Sequence, residues 1–212
     1  MIQVKTFYFN DLRECSYVLY DDTKECVIVD PGMQNENEQK RLVKFIEENG
    51  LTPVKLLNTH GHFDHIMSVD TLRQAEPDLK VYIHEADAPM LTDGDKNAFS
   101  LFFGQDRVWK EADILLTDGH KVAVGGTAFT VVHPPGHSPG SVCYLCESEG
   151  ILLTGDTLFA DNIGRCDLWG GSYAVMRQSL KRLREFDGAL TIYPGHGDTN
   201  QLSRALDNTM YI

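Results

Sequence analysis

Between Thr59 and His65 the chain reads Thr-His-Gly-His-Phe-Asp-His, so three imidazoles and a carboxylate stand within six residues. They follow a short apolar run, Val54-Lys55-Leu56-Leu57-Asn58, that predicts a brief strand. Side chains alternate along a strand but can converge in the loop at its end, so these four donors can reach a common centre. Imidazole and carboxylate suit zinc, iron or manganese, and the lack of a nearby cysteine argues against a structural zinc knot. A loop whose histidines only bond the backbone is the duller reading, and four donors in H-x-H-x-D-H order count against it.

Three later segments repeat the theme of an apolar run ending in a Gly/Pro turn. Phe129 to His133 leads into Pro134-Pro135-Gly136-His137, Ile151 to Thr154 into Gly155-Asp156-Thr157, and Leu190 to Tyr193 into Pro194-Gly195-His196-Gly197-Asp198. Glycine permits sharp turns and close backbone approach, and proline fixes direction, so each loop offers one rigidly aimed donor.

Taken in order, His60, His62, Asp64, His65, His137, Asp156 and His196 resemble the seven-ligand pattern of the metallo-β-lactamase superfamily. The stretches Gly155 to Phe159, Gly164 to Leu168 and Tyr193 to Asp198 look most like its short glyoxalase II-like (hydroxyacylglutathione hydrolase-like) branch, over a span from about Phe7 to Met210. The resemblance implies a four-layer αββα sandwich in one domain, 1–212, without the C-terminal helical extension of full-length glyoxalase II. It implies that His60, His62 and His137 hold one divalent ion and that Asp64, His65 and His196 hold a second. Asp156 would bridge them. Zinc is the first choice, with iron or manganese as alternatives. The implied reaction is thioester hydrolysis, with S-lactoylglutathione as leading substrate, by a metal-bridging hydroxide formed near neutral pH. Asp64 and Asp156 would be the catalytic carboxylates, Asp64 as at most an auxiliary base. Asp30, in Val29-Asp30-Pro31-Gly32, and Thr59 are expected to orient ligands from behind. Arg165 would contact substrate or pair with Asp167, the pairing preferred. The rivals are a mononuclear-iron persulfide dioxygenase using His60, His137 and Asp156, and a lactonase on the same centre. A β-lactamase is disfavoured, because such enzymes usually carry cysteine or histidine where His65 and Asp156 stand here.

The formal charge is −12, from 31 acidic against 19 basic residues, which disfavours phosphate backbones and anionic membranes as partners. A small acyl thioester is the expected partner, with no nucleic acid and no membrane. No secretory signal or membrane-length apolar run is visible. Five cysteines, an odd number, fit a reduced, cytoplasmic setting. Cys143 and Cys146 have C-x-x-C spacing inside an apolar strand-like run, where they would face opposite ways, so core packing is preferred to redox or metal chemistry.

Strands are expected at 4–9, 15–20, 26–29, 81–83, 121–124, 128–132, 141–145, 151–154 and 190–193. Helices are expected at 36–48, 66–74, 87–91, 173–186 and 203–208. Phe99, Leu101, Phe102, Phe103 and Trp109 are read as core cover before substrate entrance. His84 and His120 are not expected to ligate, and for Thr154 and His133 a local backbone bond is at least as good a reading as a supporting role.

Overall fold

The structure, a computed structural model, describes residues 1–209, so Met210 and the expected domain end at 212 lie outside the described residues. The first half of the chain makes strands β1 (Gln3–Phe9), β2 (Glu14–Tyr20), β3 (Glu25–Val29), β4 (Thr52–Leu57), β5 (Lys80–His84) and β6 (Ile114–Leu116), in that spatial order. β1 to β3 pair antiparallel through tight turns, while β3 to β6 pair parallel. Parallel neighbours need crossovers, and helices α1 (Glu36–Glu48), α2 (Phe63–Ile66) and α3 (Val69–Ala75) lie in them. Further on come α4 (Ala88–Leu91) and α5 (Phe99–Phe103).

The second half makes β7 (Lys121–Val124), β8 (Thr127–Val132), β9 (Cys143–Cys146), β10 (Ile151–Gly155), β11 (Thr191–Pro194) and β12 (Asn200–Gln201), again in spatial sequence. All its pairs are antiparallel except β10 with β11, which encloses α6 (Tyr173–Leu183); α7 (Leu202–Asn208) closes the described chain.

Alternation along the strands produces the layers. Tyr17, Leu19, Val27 and Val29 face the second sheet and pack with Phe129, Val131, Tyr144 and Leu153, while Val18, Cys26 and Ile28 face outward onto Leu42 of α1 and Val69 of α3. In the second sheet Cys143, Leu145 and Leu152 turn outward onto Met176, Leu180 and Leu183 of α6. Helix, sheet, sheet and helix form the expected αββα sandwich. Cys143 and Cys146 indeed lie on opposite faces of β9, in different core layers. No helix among the described residues is long and apolar enough to cross a membrane.

Three expectations need correction. The helix expected over 66–74 is two helices, because Ser68 at the junction turns its N–H to Pro31 O (2.9 Å) and its hydroxyl to Met33 O (2.6 Å), drawing the chain onto the loop after β3. The strand expected from Ser141 begins at Cys143, since Ser141 is engaged with Ser138 and the Val142 N–H donates to Thr59 O. The aromatic segment is only partly core cover. Trp109 is buried and Phe99 packs against the first core, but Leu101, Phe102 and Phe103 are 69%, 48% and 49% exposed on α5, a helix the periodicity did not reveal.

Candidate metal centre

Every proposed donor sits just beyond a strand end: His60 to His65 after β4, His137 in the loop between β8 and β9, Asp156 after β10 and His196 after β11. These ends gather at one edge of the sandwich. There His60, His62 and His137 form one group, and Asp64, His65 and His196 another, with donor atoms within 4.8 Å of one another in each. In the first, His62 Nδ1 faces His137 Nε2 at 2.8 Å and His60 Nε2 lies 3.1 Å from that same atom. In the second, His65 Nε2 and His196 Nε2 are 3.3 Å apart, and Asp64 Oδ2 is 3.3 Å from His196 Nε2 and 3.6 Å from His65 Nε2.

Asp156 stands between them. Its Oδ1 lies 3.4 Å from His65 Nε2, and its Oδ2 lies 3.6 Å from both His137 Nε2 and His196 Nε2. The close approach depends on glycine, because a Cβ on Gly195 would collide with Asp156 Oδ1 and with His65.

The outer nitrogens explain the aim of the inner ones. Asp30 accepts the Thr59 N–H at Oδ1 (2.7 Å) and the Thr59 hydroxyl at Oδ2 (2.6 Å). With its proton committed, the Thr59 oxygen accepts from His60 Nδ1 (3.0 Å), which leaves the His60 Nε2 lone pair facing the centre. Asp30 Oδ2 also accepts from His65 Nδ1 (3.0 Å). His137 Nδ1 donates to Arg165 O (2.7 Å) and His196 Nδ1 to Leu12 O (3.2 Å). Four rings thus present Nε2, each with its tautomer set from behind, and His62 presents Nδ1. Asp30 and Thr59 lie behind the rings of His60 and His65, on the side away from the donor groups.

The electrostatics suit cations. Burial, and then neighbouring imidazoles, hold His60 and His62 well below the usual histidine pKa, and burial lowers His137 too. All three are neutral donors, the form a metal needs. Burial opposes charge on His65 and His196 as well, yet Asp64 and Asp156 outweigh it and raise both. Asp64 mirrors this: burial works against its ionisation, but His65 and His196 hold its carboxyl far below the usual range. Asp156 Oδ1 is buried without a hydrogen-bond partner, and His62 turns Nδ1 into its donor group. Such convergent nitrogen and carboxylate lone pairs fit divalent metal.

Two supporting carboxylates escaped the sequence reading. Asp87, fully buried, accepts the Gly140 N–H at Oδ1 (2.6 Å) and both the Gly61 N–H (3.2 Å) and the Ser138 hydroxyl (2.6 Å) at Oδ2. It therefore ties the His60-Gly61-His62 loop to the His137 loop. Burial lifts its carboxyl to about 6. Glu14, also fully buried, accepts from Ser16 Oγ (2.9 Å) and lies 3.9 Å from His65 Nδ1; burial raises its carboxyl well above the usual range. No sequence signal marks either, since an acid in a turn or at a strand start is ordinarily solvated.

His84 and His133 stack with ring centroids 3.9 Å apart, outside both donor groups, and His133 Nε2 bonds Pro139 O. Thr154 bonds Leu158 O, the local bond considered for it. Arg165 pairs with Asp167 through two bonds of 2.7 and 2.9 Å while lining the mouth of the centre. A cavity of about 360 Å³ opens over the cluster, its other walls being Leu12, Phe63, Ala98, Phe102, Phe159 and Leu168. Phe102, expected as core cover, is therefore a wall of the site.

Residues 10–196 match the model of the metallo-beta-lactamase superfamily. The probable metallo-hydrolase YqgX of Bacillus subtilis is 32% identical over 93% of this chain and 91% of its own. A hydroxyacylglutathione hydrolase of Francisella tularensis subsp. novicida is 32% identical over 92% of this chain and 68% of its own. Among solved structures, the BLEG-1 B3 metallo-beta-lactamase superposes with TM-score 0.89 at 35% identity over 97% of both chains. TTHA1623 in a di-iron-bound form gives TM-score 0.84 at 30% identity over 99% of this chain and all of the other. With fold, family model and buried His/Asp cluster in agreement, the chain belongs to the metallo-beta-lactamase superfamily and is a metal-dependent hydrolase of that family.

Proposed function

We propose that the protein hydrolyses acyl thioesters at a binuclear centre, with His60, His62 and His137 holding one ion, Asp64, His65 and His196 the other, and Asp156 shared. The observation that carries this reading is the position of Asp156, whose two oxygens lie 3.4 to 3.6 Å from imidazoles of both groups. Zinc is the first candidate, with iron or manganese fitting the same donors. When bound, divalent ions supply Lewis acidity and lower the pKa of water toward about 7. The chain's own residues do the positioning. Asp30 and Thr59 set the tautomers of His60 and His65, the Arg165 and Leu12 carbonyls set those of His137 and His196, and Asp64 keeps an ionised oxygen at the second group. Among the residues lining the cavity there is no serine or cysteine, so acyl transfer to the protein is not part of this reading. A thiolate departs with little protonic help, which suits a site whose imidazoles are committed to holding metal. The relationship to a hydroxyacylglutathione hydrolase supports a thioester over other acyl compounds.

The test is metal quantification together with turnover of S-lactoylglutathione, a lactone, a cephalosporin and glutathione persulfide. The cephalosporin is included because the 35%-identical solved relative is named a β-lactamase. The expected result is two divalent ions per chain, thioester turnover above the rest, and loss of at least one ion and most activity in Asp156→Ala. One iron per chain with oxygen consumption on the persulfide would replace this reading with the oxygenase.

A further inference from the structure

Three cavities meet at Leu12, the tip residue of the β1–β2 turn. One is the cavity over the donor cluster; the second, of about 170 Å³, runs between Leu12, Phe63, Met67, Phe102 and Phe103; the third holds Tyr8, Arg13, Gly197 and Asp198 around the outer side of His196. The polar residues of the second are already satisfied. Asn10 Nδ2 donates to Gly32 O and Asp64 O, its Oδ1 accepts from the Leu12 N–H, and Asp11 and Gln34 bond each other twice. What remains to meet an occupant is apolar. Phe63 stands between His62 and Asp64 in the donor motif itself and packs on Phe102 and Phe103 at 5.2 and 5.4 Å between centroids. Its only charged residue is Asp11, an acid, which repels carboxylates.

We infer that the side cavity between Leu12, Phe63, Met67, Phe102 and Phe103 seats an apolar acyl chain of about six carbons, since a cavity of about 150 Å³ takes a benzene ring. The inference rests on the thioester reading and narrows it. A thioester's carrier thiol is polar or charged, so the carrier takes the side bearing Arg13 and the acyl chain takes the apolar side. A three-carbon hydroxyacyl group such as lactoyl leaves most of the second cavity unfilled and sets a hydroxyl against hydrocarbon.

The test holds the carrier fixed and varies the acyl group, using the S-acetyl, S-butyryl, S-hexanoyl and S-lactoyl esters of glutathione with metal-loaded protein. The expected result is a rise in kcat/KM from acetyl to hexanoyl of about tenfold or more, as four buried methylenes allow. Phe102→Ala should flatten the hexanoyl-to-acetyl ratio toward one, and Leu101→Ala, on the exposed side of the same helix, should not. Without turnover, the Met67 methyl resonance should move on adding hexanoate and stay in place on adding acetate. A flat chain-length series, a fastest lactoyl ester, an unchanged ratio in Phe102→Ala or a silent Met67 overturns the acyl-chain assignment alone. No turnover of any of the four esters overturns the thioester reading and this inference with it.

Discussion

Asp30 shows how much of a metal site can depend on a residue that never reaches it. Its carboxylate serves the Thr59 N–H, the Thr59 hydroxyl and His65, and through Thr59 it fixes His60, so one side chain orients donors of both groups. Asp30→Asn would set an amide N–H against the Thr59 N–H in one orientation, or against the Thr59 hydroxyl and the His65 N–H in the other, and metal affinity should fall by about 10–100-fold in a chelator competition, the usual loss when such partners go. Unchanged affinity would refute that role. Asp87 allows a pH test. Its pKa is raised by burial from 3.8 to about 6, so the stability it contributes is complete below 3.8 and is lost as pH rises through about 6. Asp87→Asn lacks that loss. Its deficit against the parent in urea denaturation with chelator present should be largest near pH 4 and shrink by pH 7, and a pH-independent deficit would contradict the buried titration.

At the scale of elements, two tyrosines hold the sheets together beside the centre. Tyr17 of β2 donates to Pro194 O of β11 (2.5 Å), and Tyr144 of β9 donates to Asn58 O beyond β4 (2.8 Å). Each bond crosses from one sheet to a carbonyl just before a donor loop of the other, Gly195-His196 in one case and Thr59-His60 in the other. Phenylalanine at either position keeps the packing but leaves a buried carbonyl short of a donor, at about 1–2 kcal/mol. Each variant should therefore melt roughly 2–8 °C lower. Since the two bonds anchor different loops, the losses should add in the double variant, and strong non-additivity in the melting data would show a shared network instead.

At the scale of the whole molecule, the centre joins loops from both sheets: His60 to His65 come from the first, and His137, Asp156 and His196 from the second. Bound metal therefore stabilises the sandwich, by about 2.7 kcal/mol per ion at a hundredfold excess over Kd. Chelation should lower the melting temperature and re-addition of metal restore it, whereas a melting temperature indifferent to chelator would argue against metal at the sheet junction. The order and spacing of seven donors, in loops that follow apolar runs and carry glycine or proline, were legible in the chain alone, because turn chemistry and donor chemistry are local properties. The alternation that splits Cys143 from Cys146 was legible for the same reason. Asp87, Glu14, the tyrosine pegs and the exposed face of α5 were not. Each takes its meaning from a partner far along the chain, such as Asp87 with Gly140 or Tyr17 with Pro194, and burial of a charge or hydroxyl is decided only when distant strands close over it.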